Sequence, residues 1–378
     1  EVADEYYARV LATAPETAYF SGIELERHDG LTDNSLEAIA TNDAAIDAML
    51  ARLQTVAADD LVGDPAWITY AYLREELEAR VGVRVCRTEI WNVNQMGGWH
   101  SGYAQIAQLQ PVGTAELREQ SLARWSKFAG LINQELDNLG EGIELGYTAP
   151  KTVVQRVVDQ IDGLLALDVE QSPFYSPAAR DDDEAFAEAT RSIVVEQITP
   201  ALERYRDFLA GPYLEQAREE LSITANPDGR ACYDASLRSY TTLKRSAEDV
   251  YDLGKKTVET NKLSVIELGK SAYELTEFSD ILERAKSDPN DRFTSKDELL
   301  EFSREMVKRA ETEMPNWVGT MPSQPVVVVP FADHEEGTGR SAPVSYTHLR
   351  AHETTSLISY AVFCLKKGGG GGGGGGGG

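Results

Sequence analysis

The chain ends in eleven consecutive glycines, Gly368–Gly378, and no packed element can be built on them. Glycine loses more backbone freedom on ordering than any other residue and offers no side chain in return. The residues just before them look no more like evolved structure. Val344–Thr354 back-translates, in one frame, to a string that looks like the transposase mosaic end and adapter of a sequencing library. Ile358–Lys367 back-translates to what looks like the flow-cell end of the same adapter, with Thr355–Leu357 where a sample index would sit. Residues 344–367 are therefore read as translated adapter and 368–378 as a disordered run of GGG codons, both set aside from fold reasoning. The natural sequence is expected to stop near Pro343.

The first residue is Glu1, not Met, and it already lies inside an amphipathic pattern. The expectation is a removed leader or a late start, so the absence of a visible signal peptide or membrane run leaves the compartment open. A hydrophobic content of 42% suffices for a core, and a chain of this size can form two domains or one large helical one. The formal charge is −26. This excess lies before the tail, where Arg350, Lys366 and Lys367 outnumber Glu353. Such a surface repels phosphate backbones and anionic membranes, which argues against nucleic acid as a partner. Cys86 and Cys232 are too few and too distant to imply a disulfide framework or a zinc knuckle. They read as small buried thiols, with a single bond between them left open.

The apolar spacing is helical nearly throughout. Val2, Tyr6, Val10 and Leu11 share one face. Asp33 or Asn34 can cap a helix through Ile39, Ile46, Met49 and Leu53. Ala66–Arg80 places Ile68, Tyr72, Leu73 and Leu77 on one side. Thr114 can cap a long helix running through Leu122, Trp125, Phe128, Leu131, Ile132 and Leu136. Pro150 begins another, carrying Val153, Val154, Val157, Val158 and Ile161. The acidic run Asp181–Glu184 reads as a helix N-terminus, the end that favours negative charge, in preference to a calcium loop. Pro200 should kink the helix it sits in. Ser246 with Asp249, and Ser295 with Glu298, have capping-box spacing. One stretch reads as strand, the β-branched Val326–Val329 between two prolines. Cys86–Gln110, rich in Trp, Asn, Gln and Gly, reads as an irregular break suited to a cleft wall or to ordinary loop packing.

Motifs with metal chemistry are imitations. His352–Glu353 starts like a zinc-binding His-Glu-x-x-His, with His348 one turn earlier, but Ser356 occupies the second histidine position and all lie in the adapter. His334–Glu335 fails likewise at Thr338. His334, His348 and His352 are therefore decoys, because a catalytic zinc needs three protein ligands and an open position. Gly140, Gly142 and Gly146 follow a helix instead of a strand and are read as a helix-to-helix turn, not a phosphate loop. Residues 1–343 hold no complete catalytic constellation. Taken alone, they describe an acidic, mainly helical domain.

Several ordered segments resemble a large bacterial family, domain of unknown function 885. They are Glu16–Thr17–Ala18 with Gly22–Ile23, Asn94–Gln95 with Gly97, Glu141–Gly142–Ile143 with Pro150, and Ser172–Pro173–Phe174–Tyr175. Pro200–Ala201–Leu202, Tyr213–Leu214, Tyr233 with Tyr240–Thr241–Thr242, and Glu336–Ala342 continue the series. The resemblance implies a large multi-helix superhelical domain of the zincin-like peptidase type, in which bound zinc activates water to hydrolyse a peptide. It implies a bacterial protein, for which an exported or periplasmic location fits. The family's His-Glu-x-x-Pro-Gly-His-His helix is expected further along, where the adapter stands, so 1–343 reads as an incomplete peptidase region, inactive as given. In that setting Asn94 and Gln95 are first candidates for contacting a peptide, since amides both donate and accept hydrogen bonds; Tyr240, Thr241 and Thr242 are second. The alternative is a non-catalytic acidic helical domain that binds a basic partner.

Overall fold

A computed structural model describes residues 1–287, 293–319, 321 and 326–330. The three decoy histidines, the Glu336–Ala342 loop and the adapter and glycine stretches lie outside the described residues. The chain divides into two compact units, Glu1–Lys244 and a second beginning at Arg245.

In the first unit, α1 (Val2–Thr13), α2 (Thr17–Ser21), α3 (Leu36–Gln54) and α4 (Ala66–Val83) come first. Ile46, Met49 and Leu53 of α3 meet Tyr70, Leu73 and Leu77 of α4, with Val2 and Tyr6 of α1 against them. The cap of α3 is Ser35, not Asp33 or Asn34: its hydroxyl accepts from the Ala38 N–H at 3.2 Å. Asp33 instead accepts from the Ser35 N–H at 2.9 Å, and Asn34 points elsewhere. On α4 the buried stripe is Tyr70, Leu73 and Leu77, while Ile68 and Tyr72 are each 72% exposed. Spacing alone did not distinguish these two overlapping faces.

A larger core follows, from α5 (Trp99–Leu109), α6 (Ala115–Trp125), α7 (Phe128–Leu145), α8 (Lys151–Leu165), α9 (Ser176–Ala179), α10 (Glu184–Ile193) and α11 (Thr199–Phe208). Its centre is aromatic. The Trp125, Phe128 and Phe174 rings lie 5.2–5.7 Å apart, spacings typical of favourable edge and tilted packing. Val154, Val157, Val158 and Ile161 close over them from α8, with Val153 only half-buried. Thr114 caps α6 as expected, accepting from Leu117 at 3.2 Å. The single long helix read from that point is two, broken at Ser126–Lys127. The Ser126 hydroxyl donates to the Ala123 carbonyl there, a local bond that competes with the helical ladder.

Pro200 has the effect expected of it. Val194–Ile198 widens to a π-turn, which runs with helical backbone angles into α11 at Thr199, the proline lying in its first turn. Asp183 caps α10 through the Phe186 N–H, and Asp181 pairs with Arg118 at 2.7 Å, so the acidic run is occupied by capping and ion pairing. Gly140 and Gly142 are inside α7, and only Gly146 turns the chain, at φ 78°. Gly142 is needed for another reason: a Cβ there would stand 1.9 Å from the Ile90 carbonyl oxygen. Cys86–Gln110 contains α5 and so is less irregular than its composition suggests.

After α12 (Leu214–Gln216), the unit ends with α13 (Gly229–Thr241). Cys86 and Cys232 are not free thiols but a disulfide joining the end of α4 to α13 across 146 residues. Closing so long a loop removes unfolded-chain entropy worth at most about 5 kcal/mol on a chain-entropy model.

The second unit holds α14 (Ala247–Tyr273), α15 (Phe278–Ser287) and α16 (Lys296–Glu313). Ser246 and Asp249 form the expected capping box. Ser295 caps α16, whereas Glu298 reaches back to Thr294. Gly269 admits Ile281 so closely that a Cβ would fall 2.4 Å from it. Val326–Val329 is not a strand. No strand occurs among the described residues, only one bridge, Pro150 with Arg218. Val327 and Val329 are 74% and 72% exposed; with no neighbouring edge among the described residues, β-branching there does not by itself make a strand.

Candidate functional site at the Asn94–His100 turn

Asn94 and Gln95 lie in the turn that leads into α5. The Asn94 Oδ1 accepts from the Met96 and Gly97 N–H groups at 2.8 and 3.1 Å, an Asx-type turn. That acceptor is occupied by the chain itself, and only the Nδ2 group is left for a ligand. The Gln95 carbonyl accepts from Gln160 Nε2 at 3.1 Å, and Gln160 Oε1 pairs with His100 Nε2 at 2.8 Å. His100 is 2% exposed, so it anchors the turn from beneath. Gly98 makes this approach feasible, since a Cβ would lie 2.3 Å from the Asn94 carbonyl and 2.7 Å from the His100 ring. The outcome is a rigid base under an exposed tip, Met96–Gly97.

Trp99, the first residue of α5, packs its ring 4.7 Å from Tyr205 and 5.7 Å from Phe128. Tyr205 in turn feels the charge of Glu135 on α7. Burial pushes the Glu135 carboxyl up to about 7, and the Asn34 hydrogen bond opposes this. Asn34 Nδ2 donates to Glu135 Oε2 and to the Leu131 carbonyl, both at 3.3 Å, and its own carbonyl accepts from Asn138 at 2.8 Å. Burial likewise raises the Tyr205 and Tyr213 phenols well above their ordinary range, with Glu135 adding to it. A carboxyl that is half protonated near neutral pH can take or give a proton. Sequence reasoning missed Glu135 among 62 acidic residues. The signal was its position: it lies one turn from both Leu131 and Leu139, on the buried stripe of α7.

The second candidate set is elsewhere. Tyr240 is 90% exposed in the last turn of α13. Thr241 donates to the Leu237 carbonyl at 2.7 Å, and Thr242, at φ 57°, ends the helix. The two threonines thus serve termination, and only the Tyr240 ring is free to meet a ligand. No hydrogen bond or ring contact joins this set to Asn94 and Gln95 among the described residues.

A third polar cluster is structural. Arg124, 0% exposed, donates to the Gly30 carbonyl at 2.8 Å and the Tyr19 hydroxyl at 2.7 Å. Glu16 accepts from the Thr32 N–H, the Thr32 hydroxyl and Tyr103 at 2.7–2.9 Å. Tyr19 also pairs with His28 Nδ1 at 2.8 Å. Burial foremost, then the Arg124 charge, holds the His28 ring below its ordinary value. These bonds fasten the segment before α3 to α5 and α6. A surface groove of about 420 Å³, lined by Lys151, Thr152, Gln155, Ala210, Leu214 and Glu215, includes none of the candidates. Among the described residues, no group of three His, Cys, Asp or Glu side chains could hold a metal ion. No described helix is long and apolar enough to cross a membrane.

The geometry defines a mainly helical protein with a rigid amide-bearing turn and, separately, a carboxyl of raised pKa on α7. The family model described as bacterial protein of unknown function, DUF885, matches residues 15–358. The chain belongs to that family. The match runs beyond Pro343 into the stretch read as adapter. A comparison with curated proteins returns no match. Among solved structures, the chain is similar to one described as "the putative lipoprotein from Colwellia psychrerythraea", at 16% identity and a TM-score of 0.71. The similarity covers 86% of this chain and 61% of that one, so the chain spans about three fifths of that structure's length. At this identity the likeness speaks for the fold alone.

Proposed function

We propose that this chain forms the peptide-binding part of a zinc-dependent peptidase of the DUF885 family and is inactive as given. The residues that would hold zinc are not among those described. The observation that carries the reading is the Asn94–His100 turn, held stiff by Gln160 and Gly98 and leading into Trp99, which packs on Tyr205. On this reading Asn94 Nδ2 would donate to a peptide carbonyl, the Gln95 amide would donate or accept, and exposed Met96 would give adaptable apolar contact. Glu135 acts as a proton reservoir behind them. The lipoprotein description of the structural neighbour supports an exported location for this chain as well.

The test compares the chain as given with the natural gene product carried through its own continuation. The given chain with zinc should cleave nothing in a peptide library. The natural product should cleave in a chelator-sensitive way, with Asn94→Ala raising KM more than it lowers kcat. Turnover by the given chain, or no chelator-sensitive turnover by the natural product, overturns the proposal. The second reading, an acidic helical domain for a basic partner, is favoured by the −26 charge. It expects salt-sensitive binding of a basic peptide and no hydrolysis by either protein.

A further inference from the structure

Helix α13 lies along α4 and the turn that follows it, but few of its side chains are deeply buried there and one covalent bond joins it to them. Only Gly229 and Cys232 are buried along its length. Gly229 sits against the backbone of Ile223 and Thr224, and Arg238 reaches Glu75 and Glu78 at 2.8 and 2.9 Å through side chains about a quarter exposed, a setting in which ion pairs hold weakly. Against this stands Cys86–Cys232, with Cα atoms 4.6 Å apart and both residues at most 3% exposed. Cys86 is itself pinned, its carbonyl accepting from the Trp91 indole at 2.7 Å.

We infer that Cys86–Cys232 is the tether that seats α13 on the end of α4, and that it closes while α13 is still loose, so the natural chain meets a disulfide oxidant as it folds. Exchange needs a third sulfur to approach the attacked one, and the seated helix leaves it no access. The oxidant is a protein or small-molecule disulfide. One cysteine thiolate attacks it, forming a mixed disulfide and expelling one thiolate. The second cysteine attacks that mixed disulfide, closing Cys86–Cys232 and expelling the other. The two cysteines lose two protons and two electrons, and the oxidant leaves as two thiols. Such conditions prevail outside the reducing cytoplasm. The tether also sets the position of Tyr240, two turns further along the same helix.

The test uses the full chain with Cys364→Ser, produced in an oxidising compartment. Unfolded with iodoacetamide and no reductant, it should take up no label, and two labels after reduction. Two labels without reductant would overturn the inference. Folded protein in reduced glutathione should keep the bond at least tenfold longer than unfolded protein; equal rates would refute the shielding. Adding Cys86→Ser and Cys232→Ser together should speed limited proteolysis within 226–244 at least tenfold, and an unchanged rate would show that the bond is not the tether.

Discussion

Replacing Glu135 by glutamine tests whether its environment is as dry as the packing implies. A glutamate carboxyl of ordinary pKa 4.5 is pushed up to about 7 in the folded protein. For a group whose folded pKa is raised, the stabilisation is complete below about pH 4.5 and is lost as pH rises through about 7. Linkage over that span gives at most about 3 kcal/mol, an upper bound because the carboxyl keeps some solvent contact. Glutamine has nearly the same shape, keeps an acceptor for Asn34 and never ionises. Urea unfolding followed by tryptophan fluorescence, on wild type and Glu135→Gln, should show similar stabilities at pH 5. At pH 8.5 the variant should be about 2–3 kcal/mol the more stable. Titrations common to both proteins cancel in the difference. A difference that does not change between the two pH values would refute the argument that burial controls this carboxyl.

Gly142→Ala brings a methyl carbon within 1.9 Å of the Ile90 carbonyl, so thermal melting should report a loss of about 2–3 kcal/mol; an unchanged melting temperature would mean α7 can shift freely. Arg124→Met removes the donor to Gly30 and Tyr19 and should cost about 2–4 kcal/mol, with faster amide exchange across residues 28–32; normal exchange there would show that the clamp is redundant. Ser35→Ala should cost about 1 kcal/mol by denaturant titration, while Asp33→Ala should cost less, because Ser35 is the cap. Equal losses would contradict that assignment.

Much of the helical body was legible before any coordinates. Thr114, Asp183, Ser246 and Ser295 cap helices because each lies where a short polar side chain reaches an orphan N–H three residues on, and that relation is local. The π-turn just before Pro200 follows from one missing N–H. Asn94 was found as a polar residue in a break, but its Oδ1 proved to be tied to the turn, which residue type alone cannot reveal. Glu135 was passed over because an acid among many is marked only by what surrounds it, and its surroundings come from the segment before α3, from α7 and from α11 together.

The order of amino acids by itself determined that this would be an acidic, helical protein of the DUF885 kind, since periodicity, capping and proline effects act over a few residues. Tertiary structure alone decided which face of α4 is buried, that Val326–Val329 joins no strand among the described residues, that Cys86 meets Cys232 across 146 residues, and that Glu135 lies mostly buried beneath Asn34. Each of these depends on segments distant in sequence being brought together, and only the packed core sets who the neighbours are.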